Sequence, residues 1–521
     1  MLKSKVYALT ISLLLGAVAH AQVPDAVSPA PARDSLSPRP VVPPVPSPPP
    51  LRNEPALRNE PPRSEAAQPS EPARGRVVEA LQGLTDWVRG RGGSLSARVV
   101  DADSGVLWAE SAPQSALNPA SNMKILTAAV ALERLGAEFR FNTGLYGKQD
   151  GARIESLVLR GQGDPSLETA DLWELARALR NLGVSQVGQV LVDQSRFDDQ
   201  FVPPAFEQQP NEWAPFRAPV SAVALERNAL TLNLLPGELG QPARAWVEPA
   251  GIASVEGSVE TRKPGSGEAV QLTLETRGNE LVAHLGGHVA RGLPRFRFER
   301  RLEDPRRAPG LALRELLLAA GITVRDGVAL GGEQVEGRLV FHQSAPLGEL
   351  VSQLGKNSDN FYAEMLFKAL GADATATPAR SQDGARVVLQ WLTEHGLSTP
   401  ETRINNGSGL FDANRISAAT LVGTLLAVRR NPAVYPEFLA QLAVGGVDGT
   451  LRSRFRRFKE QRLVRAKTGT LSAAVGLSGY VLSPSGSPIA FAILVNGLEG
   501  QASAVRERID RVVDAVAEAR R

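Results

Sequence analysis

The stretch Asn118-Pro119-Ala120-Ser121-Asn122-Met123-Lys124-Ile125-Leu126 places a serine three residues ahead of a lysine, at the mouth of a helix pattern that reaches Leu135 and is closed by Gly136. On a helix, residues i and i+3 share a face, so the Lys124 amine can reach the Ser121 hydroxyl. A serine at a helix start also lies among backbone N–H groups with no partner in the helix, where the dipole favours negative charge. Both features suit a nucleophile whose attack creates an oxyanion. The apolar Met123, Ile125 and Leu126 imply a packed first turn, against the plainer reading of a capping serine and a surface lysine. Lysine is also scarce: of 58 basic residues only nine are lysines, and Lys124 alone has a serine three places before it. Arginine keeps its proton in proteins, whereas a buried lysine can lose it and serve as a base.

Two further strings occur once each. Ser358-Asp359-Asn360 stands in a loop ahead of a helix over 361–370, with Ser358 and Asn360 able to face one cleft. A serine can relay a proton, and an asparagine can bond both a lysine and a substrate amide. Alone, the string is a good N-cap cluster. Lys467-Thr468-Gly469-Thr470 falls on a strand, where alternation puts Lys467 and Gly469 on one face and Thr468 and Thr470 on the other. Glycine there is expected to let a substrate backbone approach, and the ammonium and hydroxyl to hold a carboxylate. Alone, it is an exposed strand end. Three strings in this order, each on the element its role needs, point to an active-site serine acyl-transfer enzyme.

Other chemistries fare worse. After the N-terminal segment only His284, His288, His342 and His395 remain, and there is no Gly-x-Ser-x-Gly elbow for a Ser-His-Asp hydrolase. His284 and His288 have i,i+4 spacing, but their surroundings read as strand and turn, so no metal site is expected. With no cysteine, thiol and Cys-zinc chemistry drop out, and no cofactor is implied. A formal charge of +3, with basic residues scattered and no aromatic-interleaved stripe, gives no support to nucleic-acid binding.

Outward from the serine, an amphipathic helix (Val77, Ala80, Leu81, Leu84, Trp87, Val88) precedes strands near 96–101 and 105–110, joined by Asp103-Ser104-Gly105. The far end mirrors this, with strands near 463–468, 475–482 and 488–496 and a last helix over 502–520 facing its core with Ala504, Ile509, Val512, Val513 and Val516. Strands at both ends with helices between them predict an α+β fold, one antiparallel sheet built from both termini and covered by helices. Ser121 and Ser358 are 237 positions apart, whereas Ser358 and Lys467 are 109 apart. The long first gap carries short β-type runs among many glycines and prolines. It predicts a large, mostly β insertion over 151–344 within a domain formed by 75–150 and 345–521.

Residues 1–21 read as a secretory signal: Lys3 and Lys5, an apolar run over 6–18, then Ala19-His20-Ala21 as a small-x-small cleavage site. The run is short for a membrane span, so no integral span is expected after cleavage, and an uncleaved anchor is the lesser reading. Export follows, to a periplasmic or cell-wall-associated location. Residues 22–74 are proline-dominated, with the repeated Leu51-Arg52-Asn53-Glu54-Pro55 and Leu57-Arg58-Asn59-Glu60-Pro61, and read as a disordered, semi-rigid spacer.

From about residue 75 onward the chain resembles the D-alanyl-D-alanine carboxypeptidase/endopeptidase family, the class C low-molecular-mass penicillin-binding proteins. The likeness rests on the three strings, the long insertion behind the first, and Gly161-Gln162-Gly163-Asp164-Pro165-Ser166-Leu167, Ala218-Pro219-Val220-Ser221-Ala222, Asn406-Gly407-Ser408-Gly409-Leu410 and Gly445-Gly446-Val447-Asp448-Gly449-Thr450-Leu451. It implies a penicillin-binding/serine β-lactamase-like transpeptidase fold. It further implies Ser121 as acylated nucleophile, Lys124 as general base, Ser358 as proton relay, Asn360 as orienter and Lys467 as electrostatic support. Thr468 and Thr470 would hold the substrate carboxylate, with Gly469 beside them, and the N–H groups of Ser121 and Thr470 would form the oxyanion hole. Peptidoglycan peptides and β-lactams are the implied partners. Glu212, with Phe216 nearby, stands where relatives read the free amine of the peptide side chain. Asn406 and Gln162 depart from the usual aspartate and glycine. Two rivals stay open: a β-lactamase-like hydrolase, for which no deacylating base is identifiable, and a catalytically weak wall-binding protein.

Overall fold

A computed structural model describes residues 71–278, 280–375, 378–483 and 486–520. The segment read as a signal and the spacer up to residue 70 lie outside the described residues. The elements below belong to the unit spanning Arg63–Arg521. Its first helix, Glu71–Arg89, takes in the last four residues that the sequence reading gave to the spacer.

Ile489–Asn496 forms the centre of a six-stranded sheet because its sequence, Ile-Ala-Phe-Ala-Ile-Leu-Val-Asn, is apolar on both faces. Alternation sends Ile489, Phe491, Ile493 and Val495 towards the terminal helices Glu71–Arg89 and Ala502–Ala519, where Val77, Leu81, Ile509 and Val513 complete one core. The smaller Ala490 and Ala492, with Leu494, face a second core shared with the central helices. In the last helix Ile509, Val512, Val513 and Val516 face the core as expected, and Val505 is buried in place of Ala504. Strand order is Ala443–Val444, Val464–Thr470, Ala474–Val481, Ile489–Asn496, Ser94–Asp101, Leu107–Ser111, antiparallel throughout. Ser94 pairs with Asn496 and Asp101 with Ile489, so the two ends of the folded chain interlock. This is the α+β sheet expected from the sequence.

Helix Met123–Leu135 lies on the second face of this sheet. Met123 through Leu132 are all buried, as expected of a helix apolar all round and enclosed by others. Its neighbours include Leu347–Lys356, Asn360–Ala374 and Ala418–Arg430. Between residues 151 and 344 the regular structure is mostly strand. A seven-stranded sheet contains Arg153–Gly161 parallel to Gln186–Asp193, and two smaller sheets of three and four strands follow. Helices Thr169–Asn181 and Ala308–Ala319, which the glycine-rich texture did not suggest, are also part of it. Strand Asn142–Tyr146 pairs with Arg153–Gly161 and Arg338–Gln343, so this sheet starts ahead of residue 151.

Candidate active site

The turn ahead of Ser121 is built from the ends of the sheet. Asn118 and Asn496 bind each other: Asn118 N–H donates to Asn496 Oδ1 at 2.8 Å, and Asn496 Nδ2 donates to Asn118 O at 3.1 Å. Asn118 Oδ1 then accepts the N–H of Ala120 at 2.9 Å. These bonds hold Ala120 at φ +47°, a left-handed conformation that costs a non-glycine residue about 1–2 kcal/mol. A single 3-10 turn, Ala120–Asn122, leads into the α-helix, which begins at Met123, two residues after Ser121, where the sequence reading began it.

Lys124 is wholly buried, and its Nζ lies 3.2 Å from Ser121 Oγ, 2.7 Å from Asn360 Oδ1 and 2.7 Å from the Ser408 carbonyl. Burial pulls its pKa down to about 7, while the nearby carboxylates of Glu364 and Asp359 pull the other way. A lysine in that range divides between ammonium and free amine near neutral pH, as a general base must.

Ser358 also has a left-handed backbone, φ +58°. Its Oγ accepts from Lys467 Nζ at 2.8 Å, and the same ammonium donates to Thr468 O at 2.6 Å. Lys467 is buried, which pushes its pKa well down, and the positive charge of Lys124 adds to that push. The cap reading of Ser358-Asp359-Asn360 is met by Asp359 alone: its Oδ1 accepts the N–H of Tyr362 at 3.1 Å, and its carboxylate pairs with Arg227. Ser358 and Asn360 are left to the cleft. Asn360 Nδ2 donates to Phe216 O at 3.1 Å, so the inserted region supplies part of the site's wall.

Two groups thus converge: Ser121, Lys124 and Asn360 on one side, Ser358 and Lys467 on the other. Thr468 Oγ1 bonds Thr450 Oγ1 at 2.9 Å, and Thr470 is exposed at the strand end. Gly469 has a different reason from the one its strand position suggested. A Cβ there would stand 2.6 Å from Asn122 Nδ2 and 2.9 Å from Pro119 O, so the glycine seats the nucleophile turn against the strand, and its bare face meets protein. Gly469→Ala is therefore expected to cost about 1–3 kcal/mol by overpacking, read as a lower Tm, and to slow acylation of Ser121. An unchanged Tm and rate would contradict this packing.

Among the described residues Glu212 has no hydrogen bond to the side chains of Ser121, Lys124, Ser358, Asn360 or Lys467. Its Oε1 accepts the N–H of Ala214 at 3.0 Å, and its carbonyl accepts from Arg217 and Arg301. Phe216, four residues on, is 44% exposed. Asn406 Oδ1 accepts from Gly409 N and Asn414 Nδ2, while its Nδ2 donates to Leu410 O at 3.1 Å and to Pro204 O at 3.0 Å. Sequence reasoning missed the Ser408 carbonyl and Glu364. The first is main chain and carries no residue-type signal. The second did leave one, a lone acid in the apolar run Phe361 to Leu370, four residues after Asn360.

This pairing of a serine with a buried lysine, faced by a second serine and lysine, coincides with a match along most of the chain. The profile of the D-Ala-D-Ala carboxypeptidase 3 (S13) family matches residues 84–518. The chain belongs to this family. It is accordingly a serine-type D-Ala-D-Ala carboxypeptidase, a hydrolase, and the resemblance drawn from the three strings holds. A D-alanyl-D-alanine carboxypeptidase of Actinomadura sp. (strain R39) is 32% identical over 406 residues, 74% of each chain. The carboxypeptidase DacB of Haemophilus influenzae is 26% identical over 392 residues, 73% of this chain and 80% of that one. The crystal structure of penicillin-binding protein 4 (dacB) from the same organism shares the fold, with a TM-score of 0.70 over 84% of this chain and 99% of that chain at 23% identity. The same protein complexed with a novel β-lactam gives a TM-score of 0.67. Among the described residues no helix is long and apolar enough to cross a membrane.

Proposed function

We propose that this carboxypeptidase removes the terminal D-alanine of peptidoglycan stem peptides through an acyl-enzyme on Ser121, and that penicillins acylate the same oxygen. The observation that carries the reading is the fully buried Lys124 amine 3.2 Å from Ser121 Oγ. Ser121 Oγ attacks the carbonyl carbon of the D-Ala-D-Ala bond as its proton passes to neutral Lys124. Backbone N–H groups of Ser121 and Thr470 receive the oxyanion, a contribution of about 3–4 kcal/mol where one such donor has been removed in other enzymes. The tetrahedral species collapses, the C–N bond breaks, and the departing amine takes the proton that Lys124 accepted, relayed through Ser358, which Lys467 holds; Lys124 is then neutral again. Water then attacks the ester, Lys124 accepts its proton, and Ser121 regains its own. Thr468 and Thr470 hold the terminal carboxylate. The relative bound to a β-lactam and the exposed end of the Lys467–Thr470 strand support this reading.

Export to the periplasm or cell wall is proposed from the basic, apolar and small-x-small order of residues 1–21. Incubation with a fluorescent penicillin tests the function against its rival. A labelled band that persists after excess reagent is removed is the expected result. Rapid loss of label with release of opened penicillin would favour a β-lactamase-like hydrolase, and no label on the intact protein would defeat the acyl-enzyme proposal.

Glu212 is proposed to read the free amine of the stem peptide's diamino acid, with Phe216 beside its side chain. The support is placement: its segment leads to Phe216, whose carbonyl meets Asn360. Glu212→Gln is expected to lower kcat/KM for amine-bearing stem peptides about tenfold, the scale of one lost charge-assisted bond. Simple D-Ala-D-Ala peptides should be spared, and equal losses on both substrates would sink the assignment.

A further inference from the structure

Helix Asn360–Ala374 turns three polar side chains inward at successive turns: Asn360, Glu364 and Lys368. The outer two have evident partners. Asn360 meets Lys124, while Lys368 pairs with Asp198 of the inserted region and donates to Gln200 O at 3.2 Å. Glu364 lies between them, 2% exposed, on a helix whose Phe361, Ala363, Met365 and Phe367 are buried as well. Among the described residues no cation stands within ion-pair distance of it. Burying a carboxylate costs several kcal/mol, and an apolar residue would fill this place more cheaply.

What the carboxylate touches explains its presence. Oε1 accepts the N–H of Ser408 at 2.8 Å and Oε2 accepts the N–H of Gly407 at 3.2 Å. The carbonyls of the same two residues turn towards the nucleophile helix. Ser408 O accepts from Lys124 Nζ at 2.7 Å, and Gly407 O accepts from Thr127 Oγ1 at 2.7 Å. The 407–408 segment is thus gripped by its N–H groups from one helix and by its carbonyls from the other. Space is tight as well, since a Cβ on Gly407 would come within 2.7 Å of Ala363 O.

We propose that Glu364 is a positioning residue for the general base: it clamps the 407–408 segment so that the Ser408 carbonyl orients Lys124, and it sets a buried carboxyl group near that amine. The inference rests on the acyl-enzyme reading of Ser121. The charged groups that face Lys124 are Glu364 and Asp359, which raise its pKa, and Lys467, whose own pKa falls in the presence of Lys124. Burial pushes the Glu364 carboxyl upward, opposed by the Ser408 and Gly407 bonds and by Lys124.

The test is the pH profile of Ser121 acylation by benzylpenicillin in the full chain. Glu364→Gln removes the negative charge, so Lys124 should lose its proton more readily and the acid limb should move to lower pH, by about half a unit or more. The plateau rate should also fall, because an amide offers these two N–H donors only one acceptor oxygen. Glu364→Asp keeps the charge and shortens the reach. It should leave the limb in place and lower the rate about tenfold, the order of one well-placed hydrogen bond. An unmoved limb in the Gln variant overturns the electrostatic part, and a wild-type rate in the Asp variant overturns the clamp. Labelling of wild type at Ser121 separates these outcomes from failure of the underlying reading, which would show as no label on any of the three proteins.

Discussion

Ser121→Ala is expected to abolish covalent labelling by penicillin and to lower D-alanine release by at least about 10⁴-fold, the scale on which a lost nucleophile is felt in other serine hydrolases. The fold should survive. Ser121 is only partly buried, and the turn that carries it is held through Asn118, Ala120 and Asn122 rather than through its hydroxyl. Matching Tm values with lost turnover would place the defect in chemistry. Turnover within tenfold of wild type in a folded Ser121→Ala protein would mean that another group attacks the peptide.

Lys124→Met should have the next largest effect. Methionine keeps most of the volume and removes the amine, so Ser121 loses the acceptor for its proton, and acylation is expected to fall by about 10²–10⁴-fold, the range of general-base catalysis. On the proposed mechanism the free amine is the active form, and burial brings its pKa down to about 7. The acylation rate should therefore rise with pH through about 7 and level off above it. In the Met variant that rise should vanish. Stability should hold or increase, because a buried cation gives way to an apolar chain, leaving the Asn360 and Ser408 oxygens to find water in the cleft. A pH limb near 7 that persists in Lys124→Met would assign the titration to another group.

Much of this site was legible because its chemistry uses rare residue types at fixed spacings. Lys124 and Lys467 stand out in an arginine-rich chain, and each proved buried, where a lysine's pKa can move and an arginine's cannot. The sheet was legible too, since the strand around Phe491 is apolar on both faces and its partners carry turn signals at their ends. Main-chain contributors left no such mark. Ser408 acts through its carbonyl and Phe216 through its own, and no side-chain pattern encodes either. Gly469 was read for the right position and the wrong neighbour: strand alternation shows which face a residue takes, while the atoms opposite come from a segment nearly 350 positions away. The helices Thr169–Asn181 and Ala308–Ala319 were hidden by the loops and strands that surround them.

The proline-rich spacer and the inserted region raise different questions. Residues 151–344 meet the Ser358–Asn360 segment directly, through the Arg227–Asp359 ion pair and the bond from Asn360 to the Phe216 carbonyl.

The most direct test of the central claim is to acylate the intact protein with benzylpenicillin, digest it, and locate the adduct by tandem mass spectrometry. The expected result is a single penicilloyl ester on Ser121, absent from the Ser121→Ala protein. An adduct on any other residue, or none on a protein that releases D-alanine, would contradict the acyl-enzyme account.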